Sequence, residues 1–329
     1  MTDAKVRPDR ALLTEALRRA GVPDPGGARV EEMGGGTFNT AYRVVAGHRR
    51  LVLKIAPRPG AAGLSYERDL LATEAAFHRA AAGALPVPEV VHADFDRDLL
   101  PSDWLVLTEL PGVNWFTERE RFDGGHRATL RRGLGAAVAG LHRVVGEGFG
   151  YPQLGLVADW PTAFTGMLDA VLADAARHGV ELPVPAQRLR GRLAAHRDAL
   201  AEVTEPVLVH FDLWAGNVLV DATRPRVTGV VDGERAFWGD PLADLPSLGL
   251  FGRAEDDPDL VAGYRAAGGV LERTAATRRR LDLYRCYLYL VMAVEAVPRG
   301  ATGPDARAVA RLVAANLRRA ADRLEGAAS

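Results

Sequence analysis

Two hydrophobic periodicities divide the chain near residue 110. Before that point, short apolar runs alternate with polar positions, a pattern typical of strands, and two segments show helical spacing. Beyond it, helical spacing dominates, with a β-rich island at 207–232. The predicted strands span 30–33, 41–45, 51–56 and 105–110, with an extended segment at 85–91; the predicted helices span 9–20, 65–82, 126–145, 162–178, 186–201, 257–267, 274–297 and 304–325. We therefore predict an α+β N-terminal lobe over residues 1–110, including a helical extension at 1–27, and a mostly helical lobe over 111–329.

Lysine is almost absent from this chain, which takes its positive charge from arginine. Only Lys5 and Lys54 occur, and Lys54 stands in the middle of the apolar segment 51–56. A lysine on an alternating strand is usually solvated, but arginine would serve there equally well. Because lysine carries a compact charge on a flexible stem, whereas arginine is a planar fork, this choice indicates a confined site that needs one small ammonium group.

Composition and charge narrow the classes of partner. The chain has 329 residues, 48% of them hydrophobic, and its 41 basic and 42 acidic residues give a formal net charge of −1. This balance gives no general reason to expect nucleic acid or an anionic membrane as a partner. The single cysteine, Cys286, excludes an intrachain disulfide. With no apolar signal core at its start and no run long enough for a membrane span, the sequence predicts a cytoplasmic protein of unspecified oligomeric state.

Polar side chains interrupt the apolar strands of the 207–232 island. His210, Asp212 and Asn217 lie in a turn between two apolar segments, and Asp232 and Glu234 follow the segment 227–231. Hairpin-like strands bring such turns to one end of a small sheet, so we expect Asp212, Asn217 and Asp232 to lie together. Their oxygens are hard ligands suited to Mg²⁺. Any one of these residues alone would be an ordinary turn residue, and the ordered set is what indicates chemistry.

The order of these segments resembles the aminoglycoside phosphotransferase family of phosphotransferase enzymes, which is similar in turn to protein kinases. The resemblance rests on His210-x-Asp212 followed by Asn217, on Asp232-x-Glu234 after a short hairpin, and on Gly-Asp-Pro-Leu-Ala-Asp-Leu at 239–245. It covers nearly the whole chain. It implies a bilobal protein-kinase-like fold of the α+β class, with an antiparallel sheet and one key helix in the smaller lobe. It also implies transfer of the γ-phosphoryl group of ATP or GTP to an alcohol group.

The resemblance assigns roles to the catalytic turn and to the metal site. Asp212 would accept or orient the proton of the acceptor hydroxyl, and His210 would brace the turn through hydrogen bonds. Asn217 and Asp232 would hold Mg²⁺ against the nucleotide phosphates, and Glu234 would add a further carboxylate.

Three neighbouring positions carry structural expectations. Many members of the family have glycine where this chain has Phe211, which puts the local geometry of the turn in question. Asp240 and Asp244, in the 239–245 segment, are expected to form structural hydrogen bonds to the catalytic turn.

The resemblance also places the nucleotide in the N-terminal lobe. Lys54 would contact the α- and β-phosphates and would be held by a helix glutamate. Glu67 and Glu74 are both candidates, because seven residues place them on one helix face, and the resemblance favours Glu74. A glycine turn would bring backbone N–H groups close to phosphate, the backbone of a hinge would pair with the purine, and apolar residues would form the wall. These further nucleotide contacts are assigned to Gly35, Gly36, Thr37, Glu109, Leu110, Leu219 and Val231.

The acceptor is expected to be a small molecule with a hydroxyl group. Residues 159–205 mix acids with bases and so indicate no acidic funnel for a polycation. Trp160, Trp214 and Trp238 are candidate acceptor contacts. We expect an antibiotic of aminoglycoside, nucleoside or peptide type, or a sugar-like compound, and hence an antibiotic-resistance phosphotransferase. The alternatives are a kinase of a metabolite such as choline, homoserine or a sugar, a non-catalytic pseudokinase, and a metal-dependent phosphohydrolase.

Overall fold

An antiparallel sheet of five strands forms the N-terminal part of the protein. The structure is a computed structural model that describes residues 5–34, 38–60 and 63–325. The strands are β1 (Arg29–Met33), β2 (Thr40–Ala46), β3 (Arg49–Ile55), β4 (Val90–Asp94) and β5 (Trp104–Thr108), in the order β1-β2-β3-β5-β4. Every pair in this sheet is antiparallel, as the alternating pattern predicts.

Alternation along β3 gives its two faces different neighbours. Leu51, Leu53 and Ile55 are buried and share a hydrophobic cluster with helix α1 (Arg10–Arg19). Lys54 lies on the opposite face, because successive side chains of a strand point to opposite sides. Its partner on β5 is Leu105, which packs against helix α2 (Leu70–Ala81). The strand therefore directs its lysine toward α2.

The segment before α2 is a docked linker and not the start of a helix. The helix predicted over 65–82 begins at Leu70. Upstream of it, the backbone N–H and the hydroxyl of Ser65 both donate to the buried Asp174 carboxylate, at 2.6 Å each. The Tyr66 ring stacks on Tyr151, with 5.1 Å between the ring centroids. These contacts fix the linker to the C-terminal part of the chain.

The C-terminal part is mostly helical. Its helices are α3 (Gly124–Leu141), α4 (Trp160–Arg177), α5 (Ala186–Ala195), α6 (Arg197–Ala201), α7 (Leu245–Leu248), α8 (Pro258–Ala266), α9 (Ala275–Glu295) and α10 (Pro304–Arg323). The helix predicted over 186–201 is divided at His196 into α5 and α6. No helix within the described ranges is both long and apolar enough to cross a membrane.

Two small sheets interrupt these helices and carry the polar turns. One consists of β6 (Val113–Asn114), β8 (Val218–Val220) and β9 (Val227–Val230), and the other pairs β7 (Val207–Val209) with β10 (Phe237–Gly239). The sequence pattern did not predict β10. The residues between β7 and β8 and those after β9 approach each other, because β8 and β9 pair antiparallel.

Candidate active site

Lys54 lies between two carboxylates. Its Nζ is 2.6 Å and 2.8 Å from the two oxygens of Glu74 and 2.7 Å from Oδ1 of Asp232. Burial lowers the pKa of Lys54, but the charges of Asp232 and Glu74 outweigh it and raise that pKa above its ordinary value. A fixed ammonium group in a confined space is what the isolated lysine indicated.

Glu74, and not Glu67, is the partner of Lys54. Glu74 is completely buried on α2, and His78 on the next turn places Nε2 3.3 Å from Glu74 Oε1. Burial raises the pKa of Glu74, but the Lys54 charge and the His78 hydrogen bond together outweigh it, and the net shift is downward. Glu67 lies before the helix begins and pairs instead with Arg299. Helical periodicity could not separate the two, because the shared-face argument assumed a helix that includes residue 67.

The turn between β7 and β8 is cross-linked by its own polar groups. His210 Nδ1 accepts the backbone N–H of Asp212 at 3.2 Å, so its Nε2–H donates to the carbonyl of Val231 at 3.1 Å. The amide nitrogen of Asn217 donates to the backbone carbonyl of Asp212 at 2.8 Å and to its Oδ2 at 3.2 Å. His210 thus ties the turn to the end of β9, and Asn217 orients the Asp212 side chain.

Asp244 accepts hydrogen bonds from the backbone of the same turn. It is fully buried and accepts the backbone N–H groups of Phe211 at 2.6 Å and His210 at 3.3 Å. His142 donates to it from α3 at 2.9 Å and is itself bonded to Tyr264. The structural hydrogen bonds expected between Asp244 and the catalytic turn are therefore present.

Asp240 has a different set of partners from those expected. It accepts the hydroxyl of Tyr284 at 2.6 Å and caps the following turn through the backbone N–H of Leu242 at 2.9 Å. Arg280 approaches its Oδ2 at 3.3 Å. These contacts connect residues 239–245 to α9, so the prediction of a bond from Asp240 to the catalytic turn is wrong.

Phe211 occupies a backbone conformation that suits glycine. Its φ is 66°, in the left-handed region that strains residues with a Cβ. The side chain compensates through burial, with its ring centroid 5.3 Å from that of Phe237 and 5.4 Å from that of Tyr287. The glycine typical of related sequences is therefore replaced without loss of the turn.

Asp232 is a second residue with a left-handed backbone conformation. Its φ is 68° and its ψ 49°. The next residue, Gly233, packs closely against Phe77: a Cβ added to Gly233 would lie 2.1 Å from Cδ1 of Phe77. Glu234 accepts the amide of Asn39 at 2.9 Å. Burial, with the nearby Asp232 charge, raises the pKa of Glu234 to about 8.

The carboxylates here meet the chemical requirements of a divalent cation. Single oxygens of Glu74, Asp232 and Glu234 lie within 4.8 Å of one another. The amide nitrogen of Asn217 makes the contacts to Asp212, and its side-chain Oδ1 accepts no hydrogen bond from any described residue. Hard oxygen ligands of this kind suit Mg²⁺. Lys54 contacts both oxygens of Glu74 but only Oδ1 of Asp232, so the residues that fit the cation are Asn217, Asp232 and Glu234.

The predicted hinge follows β5. The Glu109 side chain is held by Arg43 at 2.6 Å and by Arg50 at 2.9 Å. Its backbone N–H donates to the Arg50 carbonyl at 2.9 Å, which leaves its backbone carbonyl for a base. The side chains of Leu110 and Leu219 both lie over Gly229. Val231, at the end of β9, donates its N–H to Asn217 at 3.0 Å. Gly35, Gly36 and Thr37 lie outside the described residues.

Comparison with known proteins agrees with this geometry. The model of the phosphotransferase enzyme family (APH) matches residues 29–284. The chain belongs to this family. It is 31% identical to the aminoglycoside 3'-phosphotransferase of Streptomyces fradiae, over 76% of this chain and 88% of the relative. It is 26% identical to a protein of Lactiplantibacillus plantarum named "Probable ketoamine kinase", over 80% of this chain and 86% of the relative.

The fold of this phosphotransferase is that of its solved relatives. The crystal structure of aminoglycoside phosphotransferase APH(4)-Ia with AMP-PNP and hygromycin B matches with a TM-score of 0.65 and 17% identity, over 95% of this chain and 98% of the other. At that identity the match demonstrates the protein-kinase-like fold alone. The predicted bilobal α+β class is confirmed.

The three candidate tryptophans of the phosphotransferase have different environments. Trp214, two residues after Asp212, is partly exposed and packs edge-on against Phe116, with 5.1 Å between ring centroids. Trp238 is partly exposed, and its ring lies over Gly146, in the segment after α3 that bridges to β7. Trp160 is completely buried and donates its indole N–H to Tyr284 at 2.8 Å. The structure contradicts the acceptor role predicted for Trp160, because its ring has no free surface.

Sequence reasoning missed one buried charge at this site. Arg235 follows Glu234, and its Nε lies 3.9 Å from Oδ2 of Asp212, while its Nη2 lies 2.7 Å from Glu295 on α9. Burial raises the pKa of Asp212, and the Arg235 charge opposes that rise. The position of Arg235 within Asp-Gly-Glu-Arg was a usable signal; the position of Glu295, 60 residues later, was not.

Proposed function

We propose that this protein transfers the γ-phosphoryl group of a nucleoside triphosphate to a hydroxyl group of a small molecule. The observation that carries the proposal is the position of Lys54 between Glu74 and Asp232, beside a turn in which Asn217 orients Asp212. A phosphohydrolase has no use for a partly buried lysine on a strand that leads to a hinge. A pseudokinase has no need to keep Lys54, Asp212, Asn217 and Asp232 together.

Different residues of the chain bind the phosphates, accept the proton and hold the metal ion. Lys54 binds the phosphates, with Glu74 holding its ammonium in place, and Asp212 accepts or orients the proton of the acceptor hydroxyl. Burial favours this second role, because a raised pKa makes the Asp212 carboxylate a better base. Asn217, Asp232 and Glu234 would hold Mg²⁺, which neutralises charge on the phosphates when bound. The backbone of 108–110 would pair with the purine, and Leu219 and Val231 would pack on its face.

The exposed rings beside Asp212 form the proposed acceptor contact. Phe116 is 43% exposed and packs edge-on against Trp214, while the Arg119 guanidinium lies 4.6 Å from the Phe116 ring centroid. The backbone supports the pair, since Phe116 N–H donates to Ala215 and the Asn114 side chain to Gly216. Aromatic faces bind both flat sugar surfaces and amine cations. The acceptor is therefore proposed to be an amine-bearing sugar derivative.

Two acceptor classes meet this description, and both have a named relative. The 31% identical relative is named for an aminoglycoside and the 26% identical relative for a ketoamine. The first is the antibiotic-resistance function, with ATP or GTP as donor. The second is the kinase of a sugar-derived metabolite, and it is supported by the relative that aligns with 80% of this chain.

A coupled assay with Mg²⁺, ATP or GTP and a panel of aminoglycosides, peptide antibiotics and sugar ketoamines tests the proposal. Turnover is expected with one class, and Asp212→Ala should reduce kcat by about 10² to 10⁴-fold. Asp221→Ala, at the end of β8, is the matched control and should retain full activity. Turnover that survives in Asp212→Ala, or phosphate-ester hydrolysis without nucleotide, would contradict the proposal.

The acceptor contact has its own test. Trp214→Ala should raise the KM of the acceptor and leave the KM of the nucleotide unchanged. Phe95→Ala removes a ring that is 39% exposed and follows β4 in the N-terminal part, and it should alter neither. If both variants change the KM of the acceptor and the KM of the nucleotide to the same extent, the Phe116–Trp214 pair is not the acceptor contact.

A further inference from the structure

Arg299 is a partly buried cation that the proposed chemistry does not use. It follows α9, and 19% of its side chain is exposed. Its guanidinium pairs with Glu67 in the linker before α2 and lies 3.3 Å from Glu295. The same group lies 5.7 Å from the ring centroid of Phe38, at the entrance to β2. One side chain from the C-terminal part thus contacts two separate segments of the N-terminal part.

Glu67 depends on this contact. Only 2% of its side chain is exposed. One of its oxygens accepts the backbone N–H of Leu64 at 2.8 Å, and the other is bound by Arg299. A buried carboxylate requires a partner of opposite charge. Because Glu67 lies three residues before α2, this ion pair anchors the segment that leads into the helix bearing Glu74.

Glu295 connects this anchor to the catalytic turn. Its Oε2 accepts Arg235 at 2.7 Å and Arg299 at 3.3 Å. Arg235 in turn lies 3.9 Å from Asp212. Charges of alternating sign therefore run from the catalytic carboxylate through Glu295 and Arg299 to Glu67.

Phe38 extends the anchor to a second element of the nucleotide site. The next residue, Asn39, is buried and donates to Glu234, which follows Asp232. A cation near an aromatic ring is attracted by its electron-rich face. Arg299 consequently stabilises the start of β2 against the C-terminal part, at the point where Asn39 reaches the carboxylates.

We propose that Arg299 is a positioning residue that holds α2 and the start of β2 in the arrangement that binds the nucleotide. It touches neither the phosphates nor the acceptor, and it acts through Glu67 and Phe38. The expected signature is weaker nucleotide binding together with faster opening of the linker and α2. The proposal rests on nucleotide use, which belongs to the proposed function.

The test measures binding of the Mg²⁺ complex of AMP-PNP by calorimetry in the wild type and in Arg299→Met. The variant should bind about tenfold more weakly, a difference of roughly 1.4 kcal/mol. Glu67→Gln should weaken binding in the same direction, and the double variant should be no worse than Arg299→Met alone. Arg285→Met is the matched control, since Arg285 is a buried arginine of α9 that pairs with Glu255 and has no contact with Glu67 or Phe38 among the described residues. It should destabilise the fold without weakening nucleotide binding.

Hydrogen–deuterium exchange in the free protein gives a second readout that needs no nucleotide. Amides of residues 64–81 should exchange faster in Arg299→Met than in Arg285→Met. Equal exchange in the two variants, or equal loss of nucleotide affinity, would overturn the positioning role. A wild type that binds no nucleotide would overturn the proposed function, and the exchange comparison would still decide whether Arg299 anchors α2.

Discussion

The ammonium of Lys54 lies 2.7 Å from the carboxylate of Asp232, although 178 residues separate them in the chain. Asp232 reaches this position through a left-handed backbone at the end of β9, and Lys54 through the α2-facing side of β3. The residue assigned to phosphate and the residue assigned to the metal thus neutralise each other's charge.

Substitution of Lys54 by arginine tests why the chain retains a lysine there. Two carboxylates surround the ammonium at 2.6 to 2.8 Å, and a planar guanidinium cannot occupy the same point. Lys54→Arg should lower kcat/KM by about 100-fold, or roughly 2.7 kcal/mol of transition-state stabilisation. Arg50→Lys, an exposed change on the same strand, should have no effect. Retention of activity in Lys54→Arg would show that charge alone suffices.

A glycine variant is usually less stable than the alanine variant at the same position, and we expect the opposite order at residue 211. Phe211→Ala and Phe211→Gly both lose the buried ring, at about 3–5 kcal/mol, but only glycine relieves the strain of a φ of 66°. Phe211→Gly should therefore be more stable than Phe211→Ala by about 1 kcal/mol. Urea denaturation measures both.

Phe164 provides the control for this comparison. It is buried within α4, where glycine is less favourable than alanine by about 1 kcal/mol. The glycine variant should therefore be the less stable of the two at residue 164. The same order at both positions would contradict the strain at Phe211.

Substitution of Asp244 should destabilise the catalytic turn. Asp244→Ala leaves the buried N–H groups of His210 and Phe211 without their acceptor, and each unsatisfied group costs about 1–3 kcal/mol. We expect the free energy of unfolding to fall by about 2–4 kcal/mol. Asp198→Ala, an exposed position on α6, should change it by less than about 0.5 kcal/mol. Similar losses in both variants would argue against the bracing role.

Glu234 should make the stability of the metal-free protein fall as pH rises. Its folded-state pKa is about 8, whereas an exposed glutamate titrates near 4.3. Between these values the folded state holds the extra proton, so stability decreases with increasing pH by up to about 1.4 kcal/mol per unit and levels off above pH 8. Glu234→Gln should flatten that slope.

Mg²⁺ provides the complementary measurement at Glu234. A cation binds the ionised carboxylate, so its stabilising effect on the fold should increase as pH rises toward 8. Chemical denaturation at several pH values, with and without Mg²⁺, gives both slopes. A Mg²⁺ effect that is the same in Glu234→Gln and in the wild type would remove Glu234 from the metal site.

The sequence was informative wherever local pattern and residue type carried the signal. Alternation predicted the strands β1, β2, β3 and β5, and the rarity of lysine marked Lys54. The polar turns at 210–217 and 232–234 meet because β8 and β9 form a hairpin, which a sequence pattern can reveal.

Long-range pairs of common residues left no such signal. Nothing in the sequence around His142 indicates Asp244 as its partner, and Trp160 gave no sign of complete burial. The choice between Glu67 and Glu74 depended on where α2 begins. That start is set by the docking of Ser65 on Asp174, a contact across 109 residues.

The docked linker has a consequence for how the activity is controlled. Many switches of the kinase type work by letting the helix with the glutamate swing away from the lysine. Here Ser65 and Tyr66 bind the linker to Asp174 and Tyr151, so α2 enters the site from a fixed point. We expect catalysis to begin without a lag or an activating modification, with output set by how much of the protein the cell makes.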